Sequence, residues 1–193
     1  MSEMTIDAVL ARLHVLEAKE EVRQVIGRLC RAQDRMDIEA IAACYHPDGY
    51  DDHLTFKGSG REFAQWFVDV TAPPFEEVMH FVGPSVVEVD GDVAQASTQC
   101  VAHHLARAEN ASANPLTRLY RADCIMGLRY LDRFERRNGE WLIAHRRCVF
   151  DWMYNNPFEG SIHMLPGDEI VWGRRDQKDI GYAPVGPSPI AHG

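Results

Sequence analysis

One change of rhythm constrains this chain more than any other feature. Early on, apolar residues recur every three or four positions; from Leu119 to Arg136 they recur every second position. The first spacing builds a stripe along a helix, the second a face along a strand. Ile6, Leu10, Leu13 and Leu16 mark one helical stripe, and Val22, Ile26, Leu29 and Cys30 mark another. Residues 5–34 therefore read as helix, with Lys19-Glu20-Glu21 a point where two pieces can part. Later, Tyr120, Ala122, Cys124, Met126, Leu128, Tyr130 and Phe134 hold the even positions, while Arg121, Asp123, Arg129 and Arg133 hold odd ones.

Turn chemistry punctuates the rest. Asp37 is a good N-cap for a short helix, Ile38 to Tyr45. Pro47-Asp48-Gly49 turns the chain, and Tyr50 to Phe56 reads as a short strand. Ser59-Gly60-Arg61-Glu62 has the form of a capping box. It opens a helix with Phe63, Trp66, Phe67 and Val70 on one face, which Pro73-Pro74 ends. Val86 to Val89 leads into Asp90-Gly91-Asp92, a hairpin turn, and Val93 to Ala106 returns. A loop follows at 107–117. Asn138-Gly139 is a second hairpin turn before a last strand, Trp141 to Trp152. Helices first and an antiparallel meander afterwards give an α+β domain. In it, N-terminal helices pack in the concave face of a curved antiparallel sheet, a cone over residues 1–155 with a small-ligand pocket inside. Residues 156–193, rich in Pro and Gly, read as an extended C-terminal arm or lid.

Composition removes several functions. A net charge of −9 disfavours nucleic acid as a partner. The basic residues near Arg133 alternate with acids in Asp132-Arg133-Phe134-Glu135 and read as the solvated face of a strand. Five scattered cysteines, odd in number and without C-x-x-C, argue against a disulfide framework or zinc cage and for a reducing, cytoplasmic setting. No stretch approaches the ~20 apolar residues of a membrane span. Phosphate-loop, G-x-S-x-G and H-E-x-x-H motifs are absent.

The chemistry-bearing candidates are few. Asp34 ends the first helix and His80 opens a strand, and a small cone would bring both to one pocket, His80 as general base and Asp34 orienting its ring. On the His103-His104 strand the two rings point to opposite faces. The small apolar residues Ala94, Ala96, Cys100 and Ala102 put His104 inward, whereas a cavity wall that accepts Gln95 and Gln99 puts His103 inward. Tyr50 and His53 are candidate substrate contacts, and Asp51 and Asp52 a polar strand edge. With His46 they make no well-spaced metal site. Trp66 and Phe150 are core residues or an aromatic pocket wall. Tyr130 needs a hydroxyl partner if buried. Arg146, among apolar positions of the last strand, holds an anionic group or, preferably, pairs with an acid.

Several of these segments carry a resemblance. Arg31-Ala32-Gln33-Asp34-Arg35-Met36-Asp37, Tyr45-His46-Pro47-Asp48-Gly49, His80-Phe81-Val82-Gly83 and the run Tyr130 to Trp141 resemble the SnoaL-like family of the nuclear transport factor two, or cystatin-like, superfold. Within it, scytalone dehydratase, lindane dehydrochlorinase and a bile-acid dehydratase look similar in their acid and base positions. The resemblance implies a cofactor-free lyase with Asp34 and His80 as its dyad. By analogy with scytalone dehydratase it favours His103 as a second histidine. Leu29 stands where the bile-acid enzyme has Tyr and the dehydrochlorinase Lys, Gln33 where scytalone dehydratase has Tyr, and Tyr130 where it has Asn. Tyr50, His53 or Tyr130 would then supply the replacement polar group. The expected substrate is small, hydroxylated, largely apolar and aromatic or polycyclic, and the expected assembly a homo-oligomer, dimer or trimer. Alternatives are a non-catalytic binding or scaffolding protein, an isomerase or a polyketide cyclase.

Overall fold

The computed structural model describes residues 5–53, 55–71, 73–107, 122–157 and 172–183. Helix α1 (Ile6–Asp34) opens with Thr5, whose hydroxyl accepts the Ala8 N–H at 3.3 Å. Lys19-Glu20-Glu21 does not divide it, because all three are strong helix formers and no Gly or Pro interrupts the ladder there. Only the second stripe enters the core. Val22, Val25, Ile26, Leu29 and Cys30 are buried, while Ile6, Leu10, Leu13 and Leu16 stay exposed. The helix stops directly after Asp34 in a Schellman arrangement, with Asp37 N–H on Ala32 O at 3.0 Å and Met36 N–H on Gln33 O at 3.1 Å. Met36 takes the left-handed position, φ 57°, that glycine usually fills.

Asp37 then caps α2 (Ile38–Ala42), which ends earlier than expected because Tyr45 already opens β1 (Tyr45–His53). The expected turn at Pro47-Asp48-Gly49 is a bulge inside β1, where the pairing slips between Tyr45 and Tyr50. Strand β2 (Phe56–Ser59) follows. The capping box at Ser59 and Glu62 forms as read and starts α3 (Gly60–Trp66). A wider helical turn, Phe67–Thr71, stops just before Pro73-Pro74.

Strands β3 (Phe75–Asp90), β4 (Val93–Ala106), β5 (Ala122–Arg137) and β6 (Glu140–Pro157) form the meander. Both hairpin turns sit where their sequences demand, with positive φ at Gly91, Asn138 and Gly139. Most of the 107–117 loop, and Leu119 to Arg121, lie outside the described residues. The six strands run in the order β2-β1-β6-β5-β4-β3. β1 pairs with β6 in parallel, so the curved sheet is mixed rather than wholly antiparallel.

The helices cover one face of this sheet. Val22, Ile26 and Leu29 of α1 pack with Phe63 of α3 and with Ala94, Ala96, Phe134 and Ile143. A second cluster, nearer the end of α1, joins Cys30 to Cys100, Ala102, Cys124, Met126, Leu128 and Tyr130. All five cysteines are free. No helix among the described residues is long and apolar enough to cross a membrane.

Candidate active site

The end of α1 and the first half of β3 meet at Asp34 and His80. The Asp34 carboxylate accepts the His80 backbone N–H at 3.1 Å and faces the ring Nδ1 at 2.7 Å. A carboxylate only accepts, so Nδ1 carries the ring proton in the neutral form and Nε2 has a free lone pair. The side chains of His80 and Asp34 are 4% and 13% exposed, so the pair is shielded from bulk water. Its surroundings are aromatic. Phe67 lies 6.4 Å from the His80 ring, and the His104 ring meets it edge-on at 5.8 Å.

The two histidines of β4 separate as strand geometry requires. His104 is buried and points inward, where Phe75 packs on it at 4.7 Å. His103 points outward and binds Asp123 at 2.5 Å, half exposed. The alternation along β4 decides this: Ala94, Ala96, Thr98, Cys100 and Ala102 are all buried, and His104 continues their face. The resemblance to scytalone dehydratase favours His103; β4 places that ring on the face opposite His80.

The bulge in β1 also sets which side chains face inward. Tyr50 is exposed on the outer face, edge-on to His145 at 5.3 Å, and does not approach His80. His53 is buried and packs among Phe63, Trp66 and Phe150, with ring centroids 5.1, 6.4 and 6.1 Å away. Asp51, expected at a polar edge, is fully buried. It accepts the Tyr45 hydroxyl and lies 3.6 Å from His53 Nδ1. Asp52 alone behaves as the edge residue, near Lys57 and Arg147. Trp66 and Phe150 are half buried against the core.

Beneath them lies a buried ion pair. Arg146 donates to both Asp132 oxygens at 2.7 Å, and both residues are almost fully buried. Its guanidinium stacks 4.0 Å over the Tyr130 ring. The preferred reading of Arg146 as a structural partner holds. Asp132 is not on a solvated face, because even positions of β5 point inward.

The rings around the dyad are neutral. Burial pushes His53 down to about 3, helped by Arg146 and His80. Burial, then His80 and Arg175, push His104 well below its usual range. Burial, with the neighbouring thiols, raises Tyr130 well above its usual value. At neutral pH all three are uncharged. Several of their polar atoms have no hydrogen-bond partner among the described residues: both ring nitrogens of His104, His53 Nδ1 and the side-chain amide of Gln33. The Tyr130 hydroxyl, set among the thiols of Cys30, Cys100 and Cys148, finds no oxygen or nitrogen partner among the described residues. Buried polar atoms without partners are costly and unusual. Gln33 was legible, since it continues the Ile26, Leu29, Cys30 stripe. No group of three His, Cys, Asp or Glu among the described residues can hold a metal ion.

Comparison with known proteins agrees with this architecture. A SnoaL-like domain model matches residues 14–147. No curated protein matches the sequence. Among solved structures, a hexachlorocyclohexane dehydrochlorinase, LinA type 2, superposes with a TM-score of 0.65 at 16% identity, covering 81% of this chain and 99% of its own. A proposed scytalone dehydratase from Novosphingobium aromaticivorans gives 0.60 at 16% identity, covering 78% and 97%. An NTF2-like protein with a cystatin-like fold, also from Novosphingobium aromaticivorans, gives 0.59 at 23% identity, covering 78% and 92%. The likenesses to solved structures speak for the fold, and the domain match speaks for descent: the chain belongs to the SnoaL-like family.

Proposed function

We propose that this protein is a cofactor-free lyase that eliminates water from a small, uncharged, hydroxylated substrate of apolar or aromatic character. One observation carries the reading: a shielded His80 is held by Asp34 through Nδ1, which leaves Nε2 to accept a proton. The base takes a proton from the carbon next to the one bearing the hydroxyl. The C–H electron pair becomes the new double bond and the C–O bond breaks. The proton returns from the imidazolium to the departing hydroxide, so water leaves and the enzyme is restored. Asp34 stabilises the imidazolium while it lasts. Such a base contributes ~10²–10⁴-fold.

Neutral donors suit the other half of the reaction. His104, His53, Tyr130 and Gln33 present unpartnered polar atoms to a substrate oxygen without adding charge. Loss of a small aldehyde or a double-bond shift would use the same base. The related structures named above include a dehydrochlorinase and a proposed scytalone dehydratase, and this supports elimination.

In this reading the cone of residues 1–155 carries the chemistry and the protein works in the cytoplasm; of the expected arm, 156–193, residues 158–171 and 184–193 lie outside the described residues. The exposed Met79, Phe81 and Trp152 on the outer sheet face support a homo-oligomer.

The test is turnover of a panel of cyclic and aromatic secondary alcohols by the wild-type protein and by His80→Ala. Loss of activity in a folded variant is expected. A folded His80→Ala protein that still turns over would remove the mechanism.

A further inference from the structure

The domain match ends at residue 147, and the chain continues well past it. Within that continuation, residues 172–183 lie against the two elements that carry the dyad. The anchor of this segment is Asp179, buried although it is a carboxylate in a short irregular stretch. Asp179 accepts the Arg174 N–H at 2.6 Å and the Gly181 N–H at 2.9 Å, which folds the segment on itself. It also pairs with Arg35 at 3.2 Å, and Arg35 is the residue directly after Asp34.

Further contacts grip the same helix end. Arg31, one turn before Arg35, donates to the Gly181 carbonyl at 2.6 Å, and its guanidinium covers the Tyr182 ring at 4.6 Å. Arg31 and Arg35 flank Asp34 along the helix and both are held by the segment. The other grip is on β3. Arg175 donates to the Phe75 carbonyl at 2.5 Å. Phe75 packs on His104, and His104 meets the His80 ring.

We propose that residues 172–183 are a clasp that positions Asp34 against His80, with Asp179 as its lock on α1 and Arg175 as its arm on β3. The reasoning is geometric. The 2.7 Å contact between Asp34 and His80 joins the last residue of a helix to a strand, and helix ends fray. Met36, a non-glycine residue in the left-handed region, terminates this helix where glycine would sit without strain. A brace that holds both sides of such a junction limits how far Asp34 can drift from the ring. Arg31, Arg35, Arg175 and Asp179 are positioning residues in this scheme, and none need touch substrate.

The clasp matters for turnover only if the dyad is the base proposed above, so its test reads the His80 ring directly. Full-length protein labelled with ¹⁵N-histidine reports the His80 tautomer and the exchange rate of its Nδ1 proton, and amide exchange reports docking of residues 172–183. In the wild type the Nδ1–H tautomer with a slowly exchanging proton is expected. In Asp179→Ala and in Arg175→Ala, amide exchange in the segment rises about tenfold or more and the His80 Nδ1 proton accelerates with it. Arg175→Lys, which can still donate to the Phe75 carbonyl, restores the slow proton. If Asp179→Ala does not fold, Arg31→Ala, a surface change that removes only the Gly181 and Tyr182 contacts, takes its place with the same expectation. A released segment beside an unchanged His80 signal overturns the proposal, as does a segment that stays docked in these variants. Neither result depends on turnover, so a failed clasp leaves the lyase reading standing, and an inactive protein can still show the clasp.

Discussion

Asp34 holds His80 by two handles, its carboxylate receiving both the backbone N–H and the ring Nδ1–H of the same residue. The ring contact alone would leave the imidazole free to swing with β3. The backbone contact fixes the strand to the helix end, so the direction of Nε2 is set by main chain as well as side chain. Asp34→Asn keeps the shape but offers one oxygen and no negative charge. Turnover is expected to fall by ~10²–10⁴-fold with little change in thermal stability. Kinetics on any substrate found in the alcohol panel check this; an Asp34→Asn enzyme of near wild-type rate would show that the carboxylate is not needed.

The opposite orientation of the two adjacent histidines gives a clean comparison. His104→Leu removes an inward ring beside His80, and KM or kcat should worsen at least about tenfold. His103→Ala removes an outward ring paired to Asp123 and should leave both constants within about twofold. The reverse pattern would mean that the sheet face seen here is not the face that meets substrate.

Asp51 and His53 oppose each other in their dependence on pH. Burial lifts Asp51 from 3.8 to about 7. Between those values the folded chain holds a proton that the unfolded chain has released, so this group's contribution is full below 3.8 and lost as pH rises through about 7. Burial lowers His53 from 6.5 to about 3. There the unfolded chain takes the proton first, so the contribution is full above 6.5 and lost as pH falls toward about 3. Asp51→Asn should therefore gain on the wild type as pH rises, by up to roughly 4 kcal/mol at alkaline pH. His53→Phe should gain as pH falls. Urea unfolding at several pH values between about 4 and 8 tests both; curves parallel to wild type would show that these groups titrate alike in both states.

Arg146 and Asp132 stabilise the core only as a pair. Asp132→Asn leaves a buried guanidinium without its counter-charge and should cost ~3–5 kcal/mol. Replacing both with apolar residues of similar volume should cost much less. Denaturation midpoints of the single and double variants decide between pairing and simple packing.

Much of this architecture is legible in the sequence for local reasons. Val93 to Ala106 is bounded by a turn and alternates cleanly, so its limits coincide with those of β4. The Ser59 capping box names its own helix start. Asp34 stands at the end of its helix as read, whereas His80, expected to open its strand, lies inside it, because β3 already begins at Phe75. What was not legible depends on parity and on distant partners. The bulge at Pro47-Asp48-Gly49 turns Tyr50 outward and brings Asp51 and His53 inward, and no run of charged residues announces that. His104 follows its strand's alternation, while positional likeness to a remote enzyme pointed to its neighbour. The segment around Asp179 has no periodicity to read, because its order comes from arginines on α1 and from a carbonyl of β3.

The parallel pairing of β1 with β6 has a kinetic consequence. Strands β3 to β6 are neighbours in both sequence and space and can zip together in order. β1 cannot join until Tyr45 finds Ile143, almost the last stretch of the domain to leave a ribosome. Until then β1 and β2 wait without their sheet, and with them the wall that carries His53. Long loop closure of this kind slows folding and leaves strand edges open for longer. The part of the sheet that carries His53 is thus among the last of the molecule to become whole, and a nascent chain stalled before β6 would hold an unguarded edge.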